Sequence, residues 1–505
     1  MIEIESRYSL PCFFMRRSKG WYKPKGYLHI SPKLRKNDES SVLDYIKTKL
    51  SQHNFFPLVH ETISTRRYKK LANGERSHFD YVSAKSKPTA KDREIFYANH
   101  LDAHIYSYFA NEVLGPKYES RLKEDKELDS SVIAYRRIPV SYASESNKCN
   151  IDFAKEVFDE VKSRGNCFVV CYDIENFFPS LDHDYLKKCW CGLFGTEKLD
   201  DINYKIFKSI TAYSFVELQD LITACSNPEK GLLRKHHFIN AKPKLKSYFP
   251  EPKEFRKRIA AKKLIKTNPK DKTTGERKGI PQGTPISAFL ANLYLLDFDI
   301  FMIEELVKKE NCFYRRYSDD IIIVFSDEIH FRKWDSRIRE TLSVSPFHLI
   351  INEGKTVVSK FEIATEGMNC STKIQNSLSF SSGVPLRYLG FDFDGKKITI
   401  KDASLSAYYR DMKQSLRAKG NRVKASKYFN SKNPEKQPKD TKLYLTNLMK
   451  RFTHLGKNKA KSNFLTYVER AARAIYPKAK NNDNPISGQV KRSWSIFTST
   501  ANRFR

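Results

Sequence analysis

Phe313-Tyr-Arg-Arg-Tyr-Ser-Asp-Asp-Ile-Ile-Ile-Val-Phe325 sets two adjacent carboxylates, Asp319 and Asp320, between two runs that favour β structure. Tyr314 and Tyr317 precede them, and Ile321 to Phe325 is an apolar, β-branched run that reads as a buried strand. Polar residues between two such runs predict a tight hairpin with both carboxylates at its tip. Like charges this close repel unless a cation neutralises them, and hard oxygen ligands of this kind suit Mg²⁺. An isolated Asp-Asp pair is ordinarily a surface turn, so the reading depends on what else the chain carries.

Four further blocks stand in order around it. Phe168-Val-Val-Cys-Tyr172 is another apolar strand; it ends in Asp173 and runs on into Ile-Glu-Asn-Phe-Phe-Pro-Ser-Leu-Asp182. Gly279-Ile-Pro-Gln-Gly-Thr-Pro-Ile-Ser287 leads into Ala288 to Asp297, which has helical periodicity. Asn352-Glu-Gly-Lys355 and Tyr388-Leu-Gly-Phe391 follow. The ordered set resembles the palm of reverse transcriptases, with Tyr317-Ser-Asp-Asp320 standing where many relatives have Tyr-Ala-Asp-Asp or Tyr-Met-Asp-Asp. The resemblance implies an α+β, right-hand polymerase fold: fingers, a palm of antiparallel sheet backed by helices, and a helical, basic, thumb-like C-terminal domain. The divisions expected are an N-terminal extension at 1–84, fingers at 85–167, a palm at 168–400 with a basic insertion near 227–278, and the thumb-like domain at 401–505. A basic helix is expected to open that last domain, over Ser404 to Lys419.

The same resemblance assigns roles. It implies nucleotide addition with two Mg²⁺ ions per active site and Mn²⁺ as a substitute, Asp173 and Asp319 bridging the metals, Asp320 supporting them and the Ile174 carbonyl as a further ligand. Phe178 matches the family position whose ring excludes a 2′-hydroxyl, so the expected product is DNA; Phe177 is the alternative. Gln282 and Gly283 are expected against the nascent base pair, with glycine allowing close backbone approach. Lys355 stands where a family lysine is proposed to protonate the leaving pyrophosphate. In the fingers, Lys87 and Arg93 are expected to hold the triphosphate, with Lys85 an equal contender for the lysine, and Arg136 faces template or nucleotide.

Charge points to a polyanionic partner. The chain carries 91 Lys+Arg against 58 Asp+Glu, a formal charge of +33, and such self-repulsion is naturally relieved by nucleic acid. The excess is concentrated: residues 408–505 hold 24 Lys/Arg and five acidic residues, and Lys253 to Lys278 hold eleven and three. Lys257, Arg258, Lys262 and Lys263 in the insertion, and Lys413, Arg417, Lys419, Arg422 and Lys424 in the tail, are the expected RNA-binding residues. Nine cysteines at irregular spacing, without a Cys-x-x-Cys pair, predict reduced thiols in a cytoplasmic protein. No stretch approaches 18 apolar residues, so no membrane partner is expected. The expected partners are a structured non-coding RNA as template or scaffold, dNTPs and the nascent cDNA, with a homo-oligomer left open.

No HNH-like Cys/His cluster and no retron signature is present. The Tyr-Ser-Asp-Asp palm and the tail helix Asn463-Phe-Leu-Thr-Tyr-Val-Glu-Arg-Ala-Ala-Arg473 resemble bacterial defence-associated reverse transcriptases, the unclassified and abortive-infection-like groups. That resemblance implies action against phage. The alternatives are a group II intron-type maturase, a retron-like enzyme, and a polymerase-derived scaffold that binds RNA without catalysis.

Overall fold

The computed structural model describes residues 20–66, 79–80, 85–86, 90–141, 146–225, 246–249, 251–270, 275–374, 379–456, 463–479 and 483–504. Helix α1 (Glu39–Lys49) forms where the periodicity of 41–50 predicts one and buries Val42 and Ile46. Strand β1 (Leu58–Arg66) pairs antiparallel with β2 (Ala90–Tyr97). Helix α2 (His100–Tyr108) follows, its start capped by the Asn99 side chain on the Leu101 amide. Helix α3 (Asn150–Arg164) then leads into β3 (Cys167–Asp173).

Strand β4 (Ser214–Glu217) joins β1 in parallel, and β5 (Lys266–Thr267) pairs antiparallel with β4. The resulting sheet, in the order β2-β1-β4-β5, draws on three of the segments separated in the sequence: the N-terminal extension, the fingers and the first half of the palm. Described residues of the basic insertion pack on it, Phe255 and Ile259 sharing a core with Val59, Val216 and Leu221. The insertion and the extension are thus parts of one body. Apolar pairing across a long chain separation, which no local pattern announces, brings them together.

Strands β6 (Phe313–Tyr317) and β7 (Asp320–Phe325) form the predicted hairpin, Tyr317 opposite Asp320. With β8 (Val357–Ala364), β9 (Gly367–Ile374) and β10 (Ser381–Ser382) they build an antiparallel sheet in the order β10-β9-β8-β3-β7-β6. Its central strands are apolar on both faces because both faces are covered. Phe168, Val170 and Tyr172 of β3 and Ile321, Ile323 and Phe325 of β7 enter one core, with α4 (Ser287–Tyr294) and α5 (Leu296–Phe301). Cys167 and Val169 of β3 and Ile322 and Val324 of β7 enter the other.

That second core continues through α3 and a small sheet of β11 (Leu386–Tyr388), β12 (Phe391–Phe393) and β13 (Ile398–Ile400). It ends in α6 (Asp402–Lys432), α7 (Phe464–Ile475) and α8 (Ser493–Asn502). Helix α6 runs 31 residues, well past the expected end at Lys419. Gly420, ordinarily a stop signal, is a packing position here: a Cβ on it would lie 2.1 Å from the Phe504 ring. The buried stripe Leu405, Tyr408, Met412, Leu416, Gly420 and Val423 keeps helical spacing throughout. Among the described residues no helix is long and apolar enough to cross a membrane.

Candidate active site

The strand alternation that sends Cys167 and Val169 to the second core places Asp173 on that same side, and Ile322 and Val324 do the same for Asp320. Asp173 and Asp320 are direct cross-strand partners, so their side chains rise next to each other on one sheet face. Asp319 occupies the hairpin turn. Its carbonyl accepts the Ile174 amide at 3.3 Å, which ties the turn to the end of β3. Asp320 is open to solvent on one side and walled by protein on the others. Its carboxyl is pushed up to about 7, first by burial and then by the charges of Asp319 and Asp173; Lys401 and Lys355 work the other way. The three expected carboxylates therefore meet and repel one another.

A buried framework holds the turn. Arg316 is fully buried and pairs with the equally buried Asp299 of α5. It also donates to the Asn292 side chain of α4 at 2.9 Å and to the Ser318 carbonyl at 3.2 Å. Tyr314 adds a hydroxyl to Asp299 at 2.6 Å. This arginine therefore anchors the backbone on which Asp319 sits. The motifs do not single it out, although an arginine alternating with apolar residues in a buried strand is a signal that could have. Ser318 is at φ 62, the left-handed turn conformation this anchor fixes. On the other flank, Lys355 donates to Asp173 Oδ2 at 2.5 Å from a short turn, and the Asn352 amide donates to the Asp173 carbonyl at 2.8 Å.

The expected nucleotide-side residues fall into two groups. Phe177 is buried in the core and Phe178 is only half-buried, which leaves Phe178 the one with an open ring surface. The Gly279–Gly283 loop docks on this turn through Ile280 N to Phe178 O at 2.9 Å and Gly279 N to Leu181 O at 2.8 Å. Gly279, at φ 77, would place a Cβ 2.5 Å from the Pro179 carbonyl oxygen. The close approach that Gly283 permits is to protein: a Cβ there would stand 2.8 Å from Phe96 O, and Phe96 N donates to Gln282 O at 2.8 Å. Gly283 thus fastens the loop to β2. Arg93 shares with Ile95 the face of β2 that meets Gly283, since Ile95 Cγ2 lies 3.1 Å from that Cβ position. Lys87 lies outside the described residues; Lys85 is described in backbone only, in a two-residue ladder opposite Asp80. Arg136 faces neither template nor nucleotide. Its guanidinium is 4% exposed and is taken up by Glu119, by Asp129 and by the carbonyls of Asp129 and Val132.

Residues 229–393 match the family described as reverse transcriptase (RNA-dependent DNA polymerase), a span that takes in Gln282, Gly283, Asp319, Asp320 and Lys355. The chain carries a reverse transcriptase domain. Two of the three carboxylates, Asp319 and Asp320, lie within that matched span, and Asp173 lies before it. No curated protein matches the chain in sequence. Among solved structures, apo telomerase from Candida tropicalis truncated from its C-terminal domain is similar at 10% identity and a TM-score of 0.37, covering 73% of this chain and 61% of that one. Apo telomerase from Candida tropicalis gives 10% identity, a TM-score of 0.36 and coverage of 94% and 67%. Telomerase from Candida albicans, in complex with a TWJ fragment of telomeric RNA, gives 12%, 0.36, 92% and 66%. The chain thus spans about two thirds of the length of these telomerases or less.

Reverse transcriptase domains use divalent metal ions, and the donor set here fits them: three hard carboxylates, one of them pushed up to about 7 by burial and then by its two neighbours. Among the described residues no group of three or more His, Cys, Asp or Glu side chains is spaced to hold a metal ion alone. Nucleotide phosphates and water complete the shell in sites of this class. The expected RNA-binding residues lie in two separate places in the protein. Lys257, Arg258, Lys262 and Lys263 are exposed beside the β2-β1-β4-β5 sheet, with Arg258 paired to Glu254. Lys413 and Arg417 line a groove of about 660 Å³ along α6 together with Arg410 and Tyr409. Arg422 and Lys424 are exposed further along the helix, and Lys424 stands over the Phe504 ring. Lys419 differs, because its ammonium donates to the Tyr444 carbonyl at 2.6 Å.

Proposed function

We propose that this reverse transcriptase copies a structured non-coding RNA into DNA in the cytoplasm of a bacterium, as part of defence against phage. The observation that carries the catalytic part is the meeting of Asp173, Asp319 and Asp320 at the ends of β3 and β7, the latter two within the span that matches the reverse transcriptase family. Asp173, Asp319 and Asp320 would hold two Mg²⁺ ions, with the Ile174 carbonyl alongside. When bound, the ions supply Lewis-acid activation of the primer 3′-hydroxyl and neutralisation of the leaving pyrophosphate. Lys355 rests on Asp173, from where its ammonium would be available to protonate the leaving pyrophosphate. Phe178 closes the space beside the sugar, and Arg93, on the β2 face that meets Gly283, receives the triphosphate.

The lineage part rests on the Tyr-Ser-Asp-Asp box and the tail helix, and the RNA part on the +33 charge. Cytoplasmic placement is supported by eight described cysteines, all free. The test is primer extension by the full chain on an RNA template with dNTPs and Mg²⁺, alongside Asp319→Ala and sequencing of the RNA that copurifies. Metal-dependent DNA synthesis lost in the variant, with a short dedicated RNA, is the expected outcome. An intron lariat would instead make the chain a maturase, and synthesis unchanged in the variant would displace the active site.

A further inference from the structure

Seven described residues other than glycine have positive φ, and four of them, Tyr135, Asn176, Ser318 and Leu389, flank the carboxylates or their supporting turns. Tyr135 and Leu389 are the two whose conformation nothing in their own chemistry favours, and of these Tyr135 carries the ring. At φ 60 a bulky side chain is an outlier, held there at a cost in backbone strain. The neighbours impose it. Ile133 N donates to Arg316 O at 3.0 Å, and Asn292 Nδ2 donates to Ala134 O at 2.8 Å, while Arg136 on the other side is buried in its clasp of Glu119 and Asp129. Arg316 and Asn292 are the same residues that anchor the Ser318 turn, so one framework presents both Tyr135 and Asp319.

This effort does not bury the ring. Tyr135 is 43% exposed, and its centroid lies 6.3 Å from that of Tyr317 at an interplanar angle of 46°. Tyr317 is the cross-strand partner of Asp320, so its side chain is on the sheet face of Asp320 and Asp173. The two rings thus extend the carboxylate face sideways, past the edge strand β6. A primer whose 3′-hydroxyl reaches the carboxylates must lay its last nucleotide beside them. Aromatic rings there offer a flat surface to a base or sugar of any sequence.

Resting on the polymerase reading, we propose that Tyr135 is a binding residue for the terminal base pair of the primer–template duplex, its ring forming with Tyr317 the seat on which that pair lies. The strained backbone keeps the ring presented before the duplex arrives, which reduces the ordering needed on binding.

The test uses the full chain with a primer carrying 2-aminopurine as its 3′-terminal base on an RNA template. Tyr135→Gly suits φ 60 and should leave the melting temperature unchanged or higher. In an Asp319→Ala background, where no chemistry intervenes, the fluorescence change on binding should be present in Tyr135 and Tyr135→Phe proteins and absent in Tyr135→Gly. Duplex affinity in the glycine variant should fall about tenfold, as expected when one stacking ring is removed. With Asp319 intact, the KM for duplex should rise and kcat for dNTP addition change less. A glycine variant that binds and quenches like its parent overturns the proposal, as does a phenylalanine variant that behaves like glycine. Tyr135-dependent quenching in a protein that incorporates no dNTP would sink the polymerase reading and leave the duplex seat standing.

Discussion

Asp320 is held in a state that a proton or a bound cation relieves. Burial, then the charges of Asp319 and Asp173, push its folded carboxyl up to about 7 from an ordinary value of 3.8, so the folded chain binds this proton more tightly than the unfolded chain. Its contribution to stability is therefore present at low pH and is lost as pH rises from about 4 through 7. In a metal-free buffer the melting temperature of the wild type should drop, relative to Asp320→Asn, between pH 5 and pH 8. Added Mg²⁺ should restore the wild type and leave the variant where it was; parallel pH curves for the two would mean the carboxylates do not repel. Asp319→Ala should cost DNA synthesis about a thousandfold or more while leaving RNA binding intact, since several kcal/mol of metal-dependent stabilisation is what disappears. At Phe178 the half-buried ring is the feature to remove. Phe178→Ala should raise the ratio of ribonucleotide to deoxyribonucleotide incorporation on one template by about tenfold or more, and an unchanged ratio would move the gate elsewhere.

The β6–β7 hairpin stands or falls with its buried ion pair. Arg316 and Asp299 are both inaccessible to solvent, so removing one partner strands a charge in a low-dielectric interior. Asp299→Ala should destabilise the protein by about 3–5 kcal/mol, measured by urea unfolding. Replacing both, Arg316→Met with Asp299→Leu, should recover most of that stability, because desolvation of the pair is avoided. It should not recover polymerisation, since the donor to the Ser318 carbonyl is gone. Recovery of both would show that the pair serves the core alone and that the turn needs no anchor.

Across the whole molecule, the second core joins the carboxylate sheet to α6, and Lys401 marks the junction. It precedes α6, its amide donates to the Gly390 carbonyl at 3.0 Å, and its charge reaches Asp320. The basic face of α6 then leads away from the active centre along Arg410, Lys413 and Arg417. If RNA or hybrid duplex follows this track, the logarithm of affinity should fall linearly with that of salt. Neutralising Lys413, Arg417, Arg422 and Lys424 should shallow the slope by about 0.7–0.9 for each phosphate that the variant leaves unneutralised. The control is Lys419→Gln, which should alter the slope least because that ammonium is engaged with Tyr444. Titration of labelled RNA at several salt concentrations decides it, and equal slopes for wild type and the four-site variant would shift the RNA track to the surface around Lys257 and Lys262.

Local pattern determined a good deal of this. Adjacent carboxylates between two β-forming runs predict a hairpin tip, and period-two alternation places Asp173 and Asp320 on one side, so the meeting of the carboxylates was legible in the chain, while their roles came from the resemblance of the ordered blocks. The helix at 39–49 followed from its periodicity for the same reason. What local pattern does not carry is which distant groups become neighbours. The sheet that unites residues 58–66, 90–97, 214–217 and 266–267 cuts across the divisions drawn from sequence order, because strand partners are selected by shared burial and not by proximity along the chain. Tertiary structure likewise turned Arg136 from a substrate-facing cation into a buried clasp, and set the backbone of Gly283 against Phe96. In both cases the residue type announced a capacity, to bind an anion or to admit a close backbone, and only the packed neighbours decided what fills it.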